Sequence, residues 1–378
     1  MSFLSFPRLA VPFVLLAALL LPATAGASTP ASFFGVMGDG PLLAGRGDLD
    51  AQTALMRAVG VGSMRVAIYW DSVQPYATPA DVPESDQARF IVRDGVPTDL
   101  FAYDVLVLAA AKSHIRVLPA VQRSPTWAAA DPNAASSSPP RLATDFTAFL
   151  KVLVGRYGPN GSLWVEHPEV RPLPIRSWQI WNEPDITKYW AVKDWAPSYV
   201  HLLSAADRAL KQADPGSKTV SAGLTNQSWL DLRKLYAAGA RNFFDVAAIH
   251  PFSRRVSNVV RLVRLARTEM RKAGDARKPV MLTEVSWSSG QGESQFNYGW
   301  ETTEAGQAQR IRSLLPKIAA RRVSLRIAGL YWYTWLSRPV GGLDSFDYSG
   351  LRRVGPDGVV VDKPALTAFA QTVHRLTG

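Results

Sequence analysis

Apolar residues fall along this chain in short runs of six to nine, and the stretches between them return to apolar positions every three or four residues. Eight of the runs read as strands. They are "SFFGVM" (32–37), "SMRVAIYW" (63–70), "HIRVLPAVQ" (114–122), "RSWQIW" (176–181), "KTVSAGL" (218–224), "FDVAAIH" (244–250), "PVMLTEVSW" (279–287) and "GLYWYTW" (329–335). Helical periodicity occupies about 48–60, 98–112, 143–156, 196–213, 227–239, 257–273, 302–320 and 364–376. Asp48 and Thr144-Asp145 stand where helix caps are wanted, and Gly60 and Gly274 where helices close.

Strands apolar on both faces, each followed by a helix, predict a parallel sheet covered by helices. An eightfold count with nothing left over predicts an α/β fold, a (β/α)8 TIM barrel with extended βα loops. No linker or repeat divides the chain, so residues 28–378 read as one catalytic-size domain. The patch "NAASSSPPR" (133–141) reads as a long loop, as does 336–362, where "GPDG" marks a hairpin turn.

The first residues change the setting. Arg8, an apolar stretch from Leu9 to Leu21 and the small-residue pattern Ala25-Gly26-Ala27 have the layout of a secretory signal peptide over 1–27, with a mature start near Ser28. A membrane anchor left uncleaved is the alternative. With no cysteine, disulfides, thiol nucleophiles and cysteine-bound metals are excluded. The 42 Lys and Arg against 31 Asp and Glu give +11, and loss of Arg8 with the leader leaves +10. The densest basic set, Arg261, Arg264, Arg267 and Arg271, has leucine and valine between its members, as on the solvent face of an amphipathic helix. Peripheral contact with anionic envelope polymers fits that charge. A nucleic-acid partner does not, since no aromatic-interleaved basic stripe accompanies it. The chain reads as a monomer.

Barrel chemistry gathers at the C-terminal ends of the strands. There the sequence places Trp70, Trp127, Trp181-Asn182-Glu183, His250-Pro251-Phe252, Thr283-Glu284 with Trp287, and Trp332 with Trp335. Tryptophans crowded at one rim suit a carbohydrate cleft, whose flat apolar walls stack on sugar rings. The other account makes them plugs of the barrel top. Glu183 ends the fourth strand and Glu284 lies within the seventh, on opposite sides of the barrel, where two carboxyl groups can face each other as glycosidic cleavage requires. Only His250 of the five histidines falls at a strand end, which argues against a metal site. No phosphate loop or GxSxG elbow is present, and no cofactor is implied.

The stretches "QIWNEPD", "MLTEVSW" and "LYWYTW", with the tail "GLRRVGPDGVVVDKPALTAFA", resemble the retaining glycoside hydrolases of clan A, family 39 most and family 5 next. The resemblance implies a secreted retaining β-glycosidase acting on a poly- or oligosaccharide. Glu183 would be its general acid/base and Glu284 its nucleophile. Asn182 would bind the sugar 2-hydroxyl, and Arg65 would keep Glu284 ionised. Trp335 or Trp332 would floor the −1 subsite, with Trp181 and Trp127 walling the cleft. The negative charge of Glu284 should then raise the pKa of Glu183, and the two carboxyl groups should lie about 5–5.5 Å apart. Phe252 stands where such enzymes often carry a tyrosine bonded to the nucleophile, a place His250 could fill. A transglycosylase using the same residues and a non-catalytic carbohydrate-binding barrel are the alternatives.

Overall fold

A computed structural model describes residues 1–2, 28–43, 45, 48–338 and 341–378. The leader expected over 1–27 therefore lies outside the described residues, apart from Met1 and Ser2. No described helix is long and apolar enough to cross a membrane.

The eight strands are β1 Phe34–Met37, β2 Ser63–Tyr69, β3 Arg116–Gln122, β4 Ser177–Ile180, β5 Lys218–Leu224, β6 Val246–Ile249, β7 Val280–Val285 and β8 Ile327–Trp332. Each pairs in parallel with its sequence neighbours, and β1 pairs with both β2 and β8, so the sheet closes into a barrel. Outside run α1 Leu49–Ala58, α2 Phe101–Lys112, α3 Ala143–Tyr157, α4 Trp195–Ala213, α5 Ser228–Ala237, α6 Val256–Lys272, α7 Glu304–Ala319 and α8 Pro364–Thr377. The expected TIM barrel is the fold observed.

Local chemistry explains most boundaries. The Asp48 side chain accepts from the backbone N–H groups of Asp50 and Ala51 and caps α1. Thr144 and Asp145 do not cap; they already lie inside α3, whose N-cap position is Leu142. Gly60 and Gly274 take φ values of +89° and +80°, as glycines closing helices do. On α6, Arg261, Arg264 and Arg271 face solvent, but Arg267 is buried. Its guanidinium donates to the carbonyls of Ala276 and Lys278, so it closes the αβ turn and does not belong to the basic face.

The loops carry more structure than their composition suggests. Residues 70–100, between β2 and α2, include a hairpin pairing Ile91–Arg93 with Val96–Thr98. The β8–α8 connection folds into a small sheet of Leu336–Ser337, Arg352–Val354 and Val360–Asp362, and the "GPDG" stretch is its hairpin turn. Lys363, buried at the start of α8, donates to the carbonyls of Tyr348 and Gly350 and holds this connection down.

Inside the barrel sits a small cluster of Leu118, Val220, Val246, Ala248 and Tyr331. Side chains two apart on a strand share a face. His250 therefore continues the inward row of Val246 and Ala248 and comes out above this cluster. The larger apolar core lies between barrel and helices.

Candidate active site

Arg65 organises the mouth. It projects from the middle of β2 and is fully buried. Nε donates to Gln179 Oε1 of β4 at 2.9 Å, Nη2 to Asn182 Oδ1 at 2.7 Å, and Nη1 to Glu284 Oε1 at 2.8 Å. One rigid cation thus ties β2 and β4 to the penultimate residue of β7 and turns Asn182 and Glu284 toward a common space. A fork of fixed N–H groups does this better than a lysine would.

Glu183 reaches the same space from the other side through an unusual backbone. Trp181 and Glu183 both have left-handed φ, +67° and +44°. Such conformations cost about 1–3 kcal/mol each in non-glycine residues and cluster at functional sites. Between them Asn182 bridges to Gly223 of β5, and the Glu183 N–H donates to the Gly223 carbonyl at 3.0 Å. Gly223 serves a second purpose. A Cβ there would come within 2.0 Å of His250 Nε2, so the imidazole occupies the room that glycine leaves.

His250 links the two carboxyl groups. Its Nδ1 lies 2.6 Å from Glu183 Oε1, and its Nε2 lies 3.0 Å from Thr283 Oγ1 and 3.6 Å from Glu284 Oε1. One oxygen of Glu183 and one of Glu284 lie within 4.8 Å of each other. Among the described residues this trio is also the one group of acidic and histidine side chains close enough to share a cation.

Burial sets the protonation states. It pushes the Glu183 carboxyl up to about 7, against the lowering influence of Arg65 and Lys188. The expected cause was the negative charge of Glu284; loss of solvation is the actual one. Burial also raises Glu284, with His250 and Arg65 pulling it back. It lowers His250 to about 4, so the imidazole is neutral at pH 7 and carries a single N–H. If Glu183 carries its proton, it donates to Nδ1, and Nε2–H then points toward Thr283 and Glu284.

By sequence, no protein-family model and no curated protein matches the chain. Solved structures do match. A family 39 glycoside hydrolase from the gut symbiont Bacteroides cellulosilyticus WH2 superposes with a TM-score of 0.62 at 19% identity, over 92% of this chain and 64% of that one. A monomeric beta-xylosidase from Caulobacter crescentus CB15 gives 0.63 at 17% identity, over 91% and 68%. The family 39 enzyme from Xanthomonas axonopodis pv. citri gives 0.60 at 19%, over 94% and 69%. The chain shares the barrel fold of these glycoside hydrolase structures. This chain spans about two thirds of the length of these structures.

Within that fold, the sequence-derived residues divide. Arg65, Asn182, Glu183, His250 and Glu284 come together at the mouth. Three of the tryptophans do not line it. Trp181, Trp332 and Trp335 are fully buried, with indole N–H groups donating to the Tyr189 carbonyl, the Ser349 carbonyl and Gln52 Oε1. Trp127, half-buried, donates to the Gln74 carbonyl and packs edge-on against Trp70. The three buried ones plug and brace the barrel top because each indole N–H finds its acceptor on the protein side. Phe252 likewise packs into an aromatic group with Trp300, Phe346 and Tyr333 and brings no hydroxyl to Glu284.

Sequence reasoning missed the groups that do surround the carboxylates. Asp39, just past β1, accepts from the Ala67 N–H at 2.7 Å, and burial raises its carboxyl. Tyr69, Tyr189 and Tyr333 have hydroxyls that hydrogen-bond to no group among the described residues. Burial pushes Tyr69 up to about 12 and Tyr189 and Tyr333 higher, and the charge of Glu284 adds to all three. One signal was available for the first of the tyrosines: Tyr69 ends β2 as Glu183 follows β4.

Proposed function

We propose that the protein is a secreted retaining β-glycosidase, with Glu183 as general acid/base and Glu284 as nucleophile. The observation that carries this reading is the contrast between two carboxyl groups with oxygens within 4.8 Å. One is bonded to a fixed guanidinium, while the other is bonded to a neutral imidazole and poised near 7. Carboxyl groups about 5–5.5 Å apart serve retention, whereas inversion needs roughly 6.5–9.5 Å to admit a water. The fold shared with a family 39 glycoside hydrolase and with a beta-xylosidase agrees with this chemistry.

In the first step a Glu284 oxygen attacks the anomeric carbon as the bond to the leaving oxygen breaks, and the Glu183 proton goes to that oxygen. Asn182, held by Arg65, is placed to bond the sugar 2-hydroxyl. In the second step Glu183, now a carboxylate, takes a proton from water as the oxygen of that water displaces Glu284, which returns Glu183 to its acid form. A sugar hydroxyl in place of water makes the reaction a transglycosylation.

Turnover of aryl β-glycosides tests the roles. Azide should rescue Glu183→Ala on a dinitrophenyl substrate and give a β-azide; it should rescue Glu284→Ala with an α-azide. A β-azide from Glu284→Ala would refute the nucleophile. Absence of wild-type turnover on any glycoside, with binding retained, would favour a carbohydrate-binding barrel. Secretion is read from the leader sequence, and mass spectrometry of the exported protein tests it by locating a start near Ser28.

A further inference from the structure

Arg123 follows Gln122, the last residue of β3, with a left-handed φ of +66°. Arg123 therefore stands at the mouth end of β3, the strand between β2, which carries Arg65, and β4, which leads to Glu183. Its guanidinium lies over the Tyr69 ring, 4.0 Å from the centroid, and its side chain is 40% exposed. The nearest carboxylate oxygen, Asp71 Oδ2, is 4.0 Å away, and no group among the described residues accepts a hydrogen bond from it. Arg65, one strand over, has all three of its nitrogens engaged. The charge of Arg123 also reaches inward to Asp39, Tyr69 and Tyr189, the groups around the catalytic pair.

A guanidinium partly removed from water and held by its face leaves its edge, with the N–H groups, open to an in-plane acceptor. Asp71 offsets that charge only from 4.0 Å and without a hydrogen bond, which leaves the N–H edge for a closer acceptor. Beside Arg123 opens a cavity of about 330 Å³ lined in part by Asp71, Ser124, Thr126 and Asn133. These polar groups suit the hydroxyls of a sugar ring. Lys188, on the loop after Glu183, adds a second cation close enough to act on the acid.

We propose that Arg123 binds the carboxylate of a uronosyl residue, so that the substrate is a uronic-acid-containing glycan whose chain passes from the catalytic pair into the cavity beside β3. This rests on the glycosidase reading above. A planar carboxylate matches the guanidinium fork in two parallel hydrogen bonds, which neither a hydroxyl nor a tetrahedral sulfate does as well.

The test compares hydrolysis of two β-linked polymers, polyglucuronate and polymannuronate, with hydrolysis of the same polymers after their carboxylates are reduced to primary alcohols. Wild type should prefer one of the acidic polymers. In Arg123→Gln the ratio of kcat/KM on acidic over reduced polymer should fall about 10- to 100-fold, the range of a charged hydrogen-bond pair. Arg123→Lys should be intermediate. Equal loss on both polymers, or a wild-type preference for reduced or sulfated glycan, overturns the proposal while leaving the glycosidase intact. Calorimetry of Glu284→Gln with oligouronides, with and without Arg123→Gln, separates the two claims. Arg123-dependent binding without wild-type hydrolysis would retain the anion site and refute the enzyme. Absence of binding and of hydrolysis refutes both.

Discussion

Glu183 carries a proton near neutral pH because its carboxyl is nearly buried and its one close partner, His250, is neutral. The acid form is the one needed in the free enzyme. The kcat/KM profile should therefore fall on its alkaline side with a midpoint near 7, and Glu183→Gln on an activated aryl glycoside should lose that limb. On an unactivated substrate the same variant should lose about 10²- to 10⁴-fold. Stability follows with a definite sign. The folded-state value of Glu183 is raised, so its contribution is full at pH below the ordinary value of 4.5 and is lost as pH rises through 7. His250 runs the other way: its contribution is present above 6.5 and is lost as pH falls through about 4. These groups were visible in the sequence because each polar residue ends an apolar strand. Arg123, equally polar at the end of β3, obeys the same rule and escaped notice for want of a motif. The environment that makes it distinctive, a ring beneath it and no hydrogen-bond acceptor among the described residues, exists only after folding.

β5 and its neighbours show how elements fix residues. Gly223→Ala would drive a methyl into the His250 ring, so the imidazole has to move off Glu183 and Thr283. Overpacking of this kind costs about 1–3 kcal/mol, and kcat should fall while Tm drops only modestly; unchanged pH profile and kcat would refute the fit. On α8, Lys363 has its amine lowered to about 7 by burial, and the neutral amine still has a hydrogen for each of its two carbonyls. Its contribution to stability is present above the ordinary value of 10.5 and is lost as pH falls through 7. Lys363→Met should strand those carbonyls at about 2–3 kcal/mol and flatten the stability profile between roughly pH 7 and 10, as urea titration at several pH values can measure. Strand β5 was legible to the residue, since its apolar run is bounded by Lys218 and a turn. β4 was not: it ends at Ile180, because Trp181 adopts a backbone angle that composition does not reveal. The β8–α8 sheet was visible only at its "GPDG" turn, its other strands being too short for a periodic signal.

At the scale of the molecule, closure depends on the ends of the chain. The four-residue β1 pairs with both β2 and β8, and α8 packs against α7 with Leu366, Phe369 and Val373 buried. Phe369→Ala, far from the mouth, should cost about 3–5 kcal/mol and lower Tm while leaving KM unchanged. The eightfold count made this closure legible, whereas the packing role of the tryptophans was not. Periodicity reports that a side chain is apolar, not on which side its N–H finds an acceptor. That tryptophan layer has an optical consequence. Seven indoles are fully buried, and Trp181 stands edge-on to Trp190 at 4.9 Å, while Trp70 lies 5.6 Å from Trp127. Rings so close and so fixed couple their electronic transitions. The protein should therefore show intense near-ultraviolet circular dichroism and short-wavelength emission, and both should vanish together when the barrel top loosens, giving a label-free signal of mouth integrity.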